Sequence, residues 1–154
     1  MIYTELTKKA LRLAYEAHTG QEDKAGIPYI CHPLHLAEQM NDEISTCVAL
    51  LHDVVEDTDW TFEALADLFP ESVVGPLRLL TKGEEAHYFE YIRKLSHDPV
   101  ARKVKLADLA HNSDLSRFAG CREFHPSTME TLLKRYSKAQ KILREIEGEN
   151  NLLS

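Results

Sequence analysis

Residues 98–112 read DPVARKVKLADLAHN, a helix-length segment in which Val104, Leu106, Ala107, Leu109 and Ala110 leave almost no polar side. A helix apolar nearly all round is a buried one. Asp98 and Pro99 supply its cap and its first helical residue. Yet the segment carries Asp108, and an unpaired carboxylate in such surroundings is costly unless it meets a partner or a cation.

The flanking segments are helical by period. Leu6, Ala10, Leu13, Ala14 and Ala17 mark one face of a first helix, with Gly20 as the residue just past its end. Gly and Pro punctuate a loop, TGQEDKAGIPYIC, and Pro33 suits the first turn of a short helix running to Met40. Ile44, Cys47, Val48, Leu51 and Val55 stripe another helix, and Thr61 caps FEALADLF. A helix over 72–80 has to hold Pro76 near its start, and HYFEYIRKLS is helical by pattern. Ser127 and Glu130 have capping-box spacing ahead of a last helix striped by Met129, Leu132, Leu133, Tyr136, Leu143 and Ile146. No segment alternates as a strand, and no repeat or linker divides the chain. The expectation is one all-α domain over residues 1–148, a compact helical bundle, with a frayed tail at 149–154.

A chain of 154 residues can bury one proper core. Its formal net charge of −7 argues against nucleic acid or an anionic membrane as partner. No apolar run has the length of a membrane span, and the charged amphipathic start is not a signal peptide. Cys31, Cys47 and Cys121 are odd in number and lack CxxC spacing, which points to reduced thiols and a cytoplasmic protein. Nothing in the sequence sets an oligomeric state.

Residues 50–58, LLHDVVEDT, crowd His52, Asp53, Glu56 and Asp57 into an apolar run. If residues 43–56 are one helix, His52 and Glu56 share a face, as do Asp53 and Asp57, in columns about 100° apart. Acids at a helix C-terminus oppose the helix dipole. Such a patch is either a solvated helix end or a cation site. YICHPLHLA adds His32 just before a helix start, and the buried Asp108 still needs a partner. His32, His52, Asp53 and Asp108 together make a nitrogen and oxygen donor set suited to manganese, iron or zinc.

HPL, LLHDVVEDT and KLADLAHN, in that order, resemble the HD-domain metal-dependent phosphohydrolases. The resemblance is strongest to the hydrolase domain of RelA/SpoT-type alarmone enzymes and to the small stand-alone alarmone hydrolases, and runs from about Leu11 to Arg117. It implies an HD helical bundle and a cytoplasmic Mn²⁺-dependent enzyme, with another divalent transition metal as the alternative. The implied substrate is a small anionic nucleotide, ppGpp or pppGpp, which loses pyrophosphate from the ribose 3′ position. By the resemblance His32, His52, Asp53 and Asp108 are metal ligands, and Glu56 and Asp57 position and deprotonate the attacking water. Lys24, Asn112 and Tyr136 match residues near the substrate.

Other assignments stay open. Lys105 is read as a substrate cation or a snorkelling side chain, and Arg117 as a phosphate contact or a surface ion pair. His18, His35, His87, His97, His111 and His125 are read as ordinary surface or core histidines. No GxxxxGK loop supports a kinase. Where the resembled enzymes carry Arg-Lys, this chain has Asp23-Lys24. An acid beside an anionic substrate predicts that Asp23→Arg raises kcat/KM for ppGpp by several-fold to tenfold, from roughly 1 kcal/mol of charge interaction. The same departure keeps two rivals in view: an HD phosphohydrolase of another nucleotide or phosphate ester, and a non-catalytic nucleotide sensor.

Overall fold

Residues 45–51 read STCVALL, and every one of them is buried. They belong to α3 (Glu43–Leu51), around which the computed structural model arranges the remaining elements; it describes residues 1–84 and 87–153. The others are α1 (Glu5–Ala17), α2 (Cys31–Glu38), α4 (Val54–Asp57), α5 (Phe62–Ala66), α6 (Glu71–Leu80), α7 (Tyr88–Leu95), α8 (Pro99–Asn112) and α9 (Pro126–Leu153), with a 3₁₀ turn at Leu115–Phe118. Small side chains on α3 let α1, α2, α6 and α8 all pack against it. The fold is all-α. No strand forms among the described residues, and none of their helices is long and apolar enough to cross a membrane.

The element at the centre is α3. On α8, Ala101, Val104, Ala107, Asp108 and Leu109 face inward, whereas Ala110 is exposed and Leu106 half-buried. The core is filled by Leu36, Leu50, Leu51, Leu65, Leu77, Ile92, Leu95 and Leu109, and α9 adds Ala139 and Leu143. Caps fix the register of this packing. Thr4 and Thr7 form a capping box on α1, and the carboxylates of Asp42 and Asp98 accept from the Ser45 and Ala101 amides, both at 2.8 Å.

Four local expectations are corrected. The helix expected over 43–56 is interrupted, because His52 Nδ1 lies 2.7 Å from the Ala49 carbonyl that the Asp53 amide would take in an unbroken helix. The backbone stays right-handed through His52 and Asp53 and resumes as α4. Pro76 sits mid-way along α6 rather than near its start, and is buried. The last helix begins at Pro126, so Ser127 lies inside it and cannot be the cap of a Ser127–Glu130 box. That helix also continues to Leu153 through the segment expected to fray; Ser154 lies outside the described residues.

Candidate metal centre and the cleft beside it

The interruption after α3 turns His52 and Asp53 toward α2 and α8. His32, in the first turn of α2, points its Nε2 at Asp108 Oδ1, 3.0 Å away, and lies 3.8 Å from Asp53 Oδ2. His52 Nε2 lies 2.8 Å from Asp53 Oδ2 and 3.8 Å from Asp108 Oδ1. His32, His52 and Asp53 can each offer one ligand atom within 4.8 Å of the others, and Asp108 approaches both imidazoles from α8. Despite its short distance to Asp53, His52 Nε2 has no aligned hydrogen-bond partner and is fully buried. A buried nitrogen with no partner, among carboxylate oxygens and a second imidazole, is what a cation-binding donor set requires, so the residues present fit a divalent metal.

The charges of this cluster are strongly coupled. Burial disfavours the charged form of Asp108, but Lys105, His32 and His52 outweigh it and hold the carboxyl well below the usual range. Asp53 is held low in the same way, burial being outweighed by His52 and by the Tyr29 hydroxyl. Burial pulls His52 down, yet Asp53 and Asp108 raise it well above an ordinary imidazole. The site is thus built for ionised carboxylates and needs positive charge among them.

Around these four stands a ring of side chains that holds them in place. Lys105 Nζ pairs with Asp108 Oδ2 at 2.8 Å, Asn112 Nδ2 donates to Asp108 Oδ1 at 2.9 Å, and the Tyr29 hydroxyl donates to Asp53 Oδ2 at 2.5 Å. His52 Nδ1 is engaged by the Ala49 carbonyl, which leaves Nε2 to face the cluster. Behind Tyr29 lies buried His18, at 4.9 Å between ring centroids; its Nδ1 meets Gln21 Oε1, and Gln21 Nε2 donates to the Asp57 carbonyl. Glu56 Oε1 accepts from the Lys82 amide at 2.8 Å. Partial burial and then the Asp53 charge raise the Asp57 carboxyl; burial also raises Glu56, against the Lys82 bond and with Asp53 and Asp57 adding to it.

A cleft of about 260 Å³ opens beside the cluster, lined by Lys24, Tyr29, His32, Asn112, Arg117 and Tyr136 together with Met129 and Leu132 of α9. A second hollow of about 310 Å³ shares Lys24, Phe118, Met129 and Leu132 with it. Lys24, Asn112 and Tyr136 thus meet at one cleft. Lys105 is outside the cleft lining, and its ammonium is paired with Asp108. Arg117 lies in the cleft wall, but its Nη1 is paired with Asp23 Oδ2 at 2.8 Å. Asp23 in turn accepts from the Ala25 and Ile27 amides through Oδ1, at 2.8 and 3.0 Å. Asp23 lines the cleft as well, but both of its carboxylate oxygens are engaged, one by the loop amides and the other by Arg117.

Sequence reasoning missed Tyr29, His18, Gln21 and His111. His111 lies three residues after Asp108 on α8, so helical spacing from an assigned residue was the available signal, whereas Tyr29 sits in the turn before α2 and carried no such signal. His111 Nδ1 stands 2.6 Å from His32 Nδ1.

An all-α bundle that gathers two histidines and two aspartates beside a cleft defines a protein of the divalent-metal HD class. The chain belongs to that family: the HD domain profile matches residues 10–112. Among curated relatives, a guanosine-3′,5′-bis(diphosphate) 3′-pyrophosphohydrolase of Aquifex aeolicus is 36% identical over 122 residues, covering 71% of this chain and 18% of the relative. The bifunctional (p)ppGpp synthase/hydrolase SpoT of Escherichia coli K12 is 34% identical over 123 residues, 68% of this chain and 18% of its own length. A probable GTP pyrophosphokinase of Mycobacterium leprae is 37% identical over 127 residues, 73% of this chain and 16% of the relative. The chain spans less than a fifth of each of these proteins. A solved structure of a metazoan SpoT ortholog, described as hydrolysing ppGpp, superposes with a TM-score of 0.72 over 99% of both chains at 24% identity, which shows the shared fold.

Proposed function

We propose that this chain is a Mn²⁺-dependent hydrolase that removes pyrophosphate from the ribose 3′ position of ppGpp and pppGpp. The observation that carries the reading is the His32, His52, Asp53 and Asp108 cluster standing beside a cleft that His32 itself lines, with Lys24, Asn112 and Tyr136 on its walls. The relatives named for ppGpp hydrolysis support the same substrate. In this reading His32, His52, Asp53 and Asp108 hold the cation, which when bound supplies Lewis acidity toward a phosphoryl oxygen.

The protein's own residues do the rest. Glu56 and Asp57 orient a water and take its proton on a carboxylate oxygen as it attacks phosphorus; the bond to the ribose 3′ oxygen breaks, that oxygen takes up a proton to leave as the 3′-hydroxyl, and pyrophosphate is released. Their raised carboxyls are the better bases for it. Lys24 sets positive potential against the phosphates, Asn112 steadies Asp108 while facing the cleft, and Tyr136 offers a ring to the base. Lys105 and Arg117 act at one remove, through Asp108 and Asp23. Cytoplasmic residence belongs to the same proposal and agrees with three free cysteines.

The Asp23 clamp favours one further reading, an HD phosphohydrolase for a different nucleotide, since the loop lacks the guanidinium of the resembled enzymes. Retention of both Glu56 and Asp57 speaks against a sensor without turnover. Purified protein assayed with Mn²⁺, Mg²⁺, Fe²⁺ and Zn²⁺ against ppGpp, pppGpp, GDP, nucleoside monophosphates and other pyrophosphorylated nucleotides separates the three. The expected result is Mn²⁺-dependent pyrophosphate release from ppGpp above all others. Faster turnover of another nucleotide would replace the substrate, and binding of ppGpp without any turnover would make the protein a sensor.

A further inference from the structure

Three histidine rings form a column running outward from the metal cluster. His35 stacks on His111 at 4.2 Å between centroids, and His111 lies almost parallel to His32, at 15° and 4.9 Å. The last two are not face to face in the ordinary sense, because their Nδ1 atoms are 2.6 Å apart. Nearly parallel rings joined at that distance share an N–H···N hydrogen bond, which requires one nitrogen to carry hydrogen and the other a lone pair. The direction is set from the other side of His32. Its Nε2 faces Asp108 Oδ1 and Asp53 Oδ2, the side on which a cation would sit, and must offer its lone pair there. The proton of neutral His32 then belongs on Nδ1, and His111 Nδ1 is the acceptor.

We infer that His111 is a positioning residue: it accepts the His32 Nδ1–H and so fixes both the tautomer and the ring orientation that present Nε2 to the metal. The inference rests on the metal reading given above. His111 reaches no reacting atom and is held in place by its neighbours. It sits three residues beyond Asp108 on α8, so one helical turn carries a candidate ligand and the group that orients another ligand from α2. His35, exposed on α2, covers the outer face of the ring. Ligating histidines ordinarily lean on a carboxylate or a carbonyl; here a second imidazole does it, and losing such a partner commonly costs 10–100-fold in metal affinity.

The test is titration of the protein with Co²⁺, read by its visible absorption and by competition with a chelator, in wild type, His111→Leu and His111→Asn. Leucine fills the space without an acceptor, whereas Asn Oδ1 falls near the position of Nδ1. Co²⁺ affinity is expected to drop 10–100-fold with an altered spectrum in His111→Leu and to recover to within a few-fold of wild type in His111→Asn. Equal affinity in wild type and His111→Leu, or equal loss in both variants, overturns the inference and leaves the metal reading standing. Failure of the wild type to bind Co²⁺ removes the metal reading and this inference with it. Should His111→Leu not fold, imidazole ¹⁵N spectra of the Zn²⁺-loaded wild type decide: His32 is expected with hydrogen on Nδ1, and hydrogen on Nε2 overturns the inference.

Discussion

Asp23 has both carboxylate oxygens engaged, one by two loop amides and the other by Arg117. Charge reversal there removes charge-assisted bonds worth about 1.5–3 kcal/mol and sets two guanidiniums side by side. Asp23→Arg is therefore expected to lower stability by about 2 kcal/mol or more, with Asp23→Asn in between, and not to improve turnover of ppGpp. Urea melts of the three proteins measure this; an unchanged midpoint in Asp23→Arg would show that the carboxylate is no clamp. At Glu56 and Asp57 the expectation is chemical. Glu56→Gln keeps an acceptor for the Lys82 amide and Asp57→Asn keeps its size, so both should fold while losing roughly 10²–10⁴ in turnover. Burial and the Asp53 charge raise both carboxyls, and a base works only when ionised, so the rate climbs as pH rises through the raised value. The acid limb of the pH–rate profile should lie above the ordinary 4.5 of Glu and 3.8 of Asp. An acid limb at or below those values would remove the pair from the proton transfer.

At the level of the elements, α3 depends on its cap. Burial raises the Asp42 carboxyl, but Ser45 and Lys103, 3.3 Å away, together outweigh it and hold the carboxyl below the ordinary 3.8. A depressed carboxyl stabilises the fold above its unfolded value, and the contribution is lost as pH falls through the folded one. Asp42→Ala should cost about 1 kcal/mol at neutral pH, and wild type and variant should converge in strong acid. Thermal melts at pH 7 and pH 2.5 would refute this if the gap stayed constant. Helices with a repeating apolar face, and caps such as Thr61 and Asp98, were legible in the sequence because one local interaction decides each. The break after Leu51 was not, since it turns on a side chain competing with an amide for the Ala49 carbonyl. The four clustered residues were legible as chemistry out of place in apolar segments. Their supports were less so: Arg117 meets Asp23 across 94 residues, and neither segment alone announces the other.

For the molecule as a whole, the cluster ties α2, the end of α3 and α8 together, so a bound cation is linked to the fold itself. Binding to the folded chain alone stabilises by about 2.7 kcal/mol when free metal is about 100 times Kd. For a domain of this size that is roughly 5–10 °C in Tm. Mn²⁺ should raise the wild-type Tm by that much and leave His52→Ala and Asp108→Ala where they are; a shift of equal size in the variants would deny those residues the metal. The cleft obeys a different geography. Its metal side comes from residues up to 112, whereas its far wall, Met129, Leu132 and Tyr136, belongs to α9. The cleft is therefore closed by tertiary packing rather than by any one segment: its far wall exists only where α9 is docked on the core through Ala139 and Leu143.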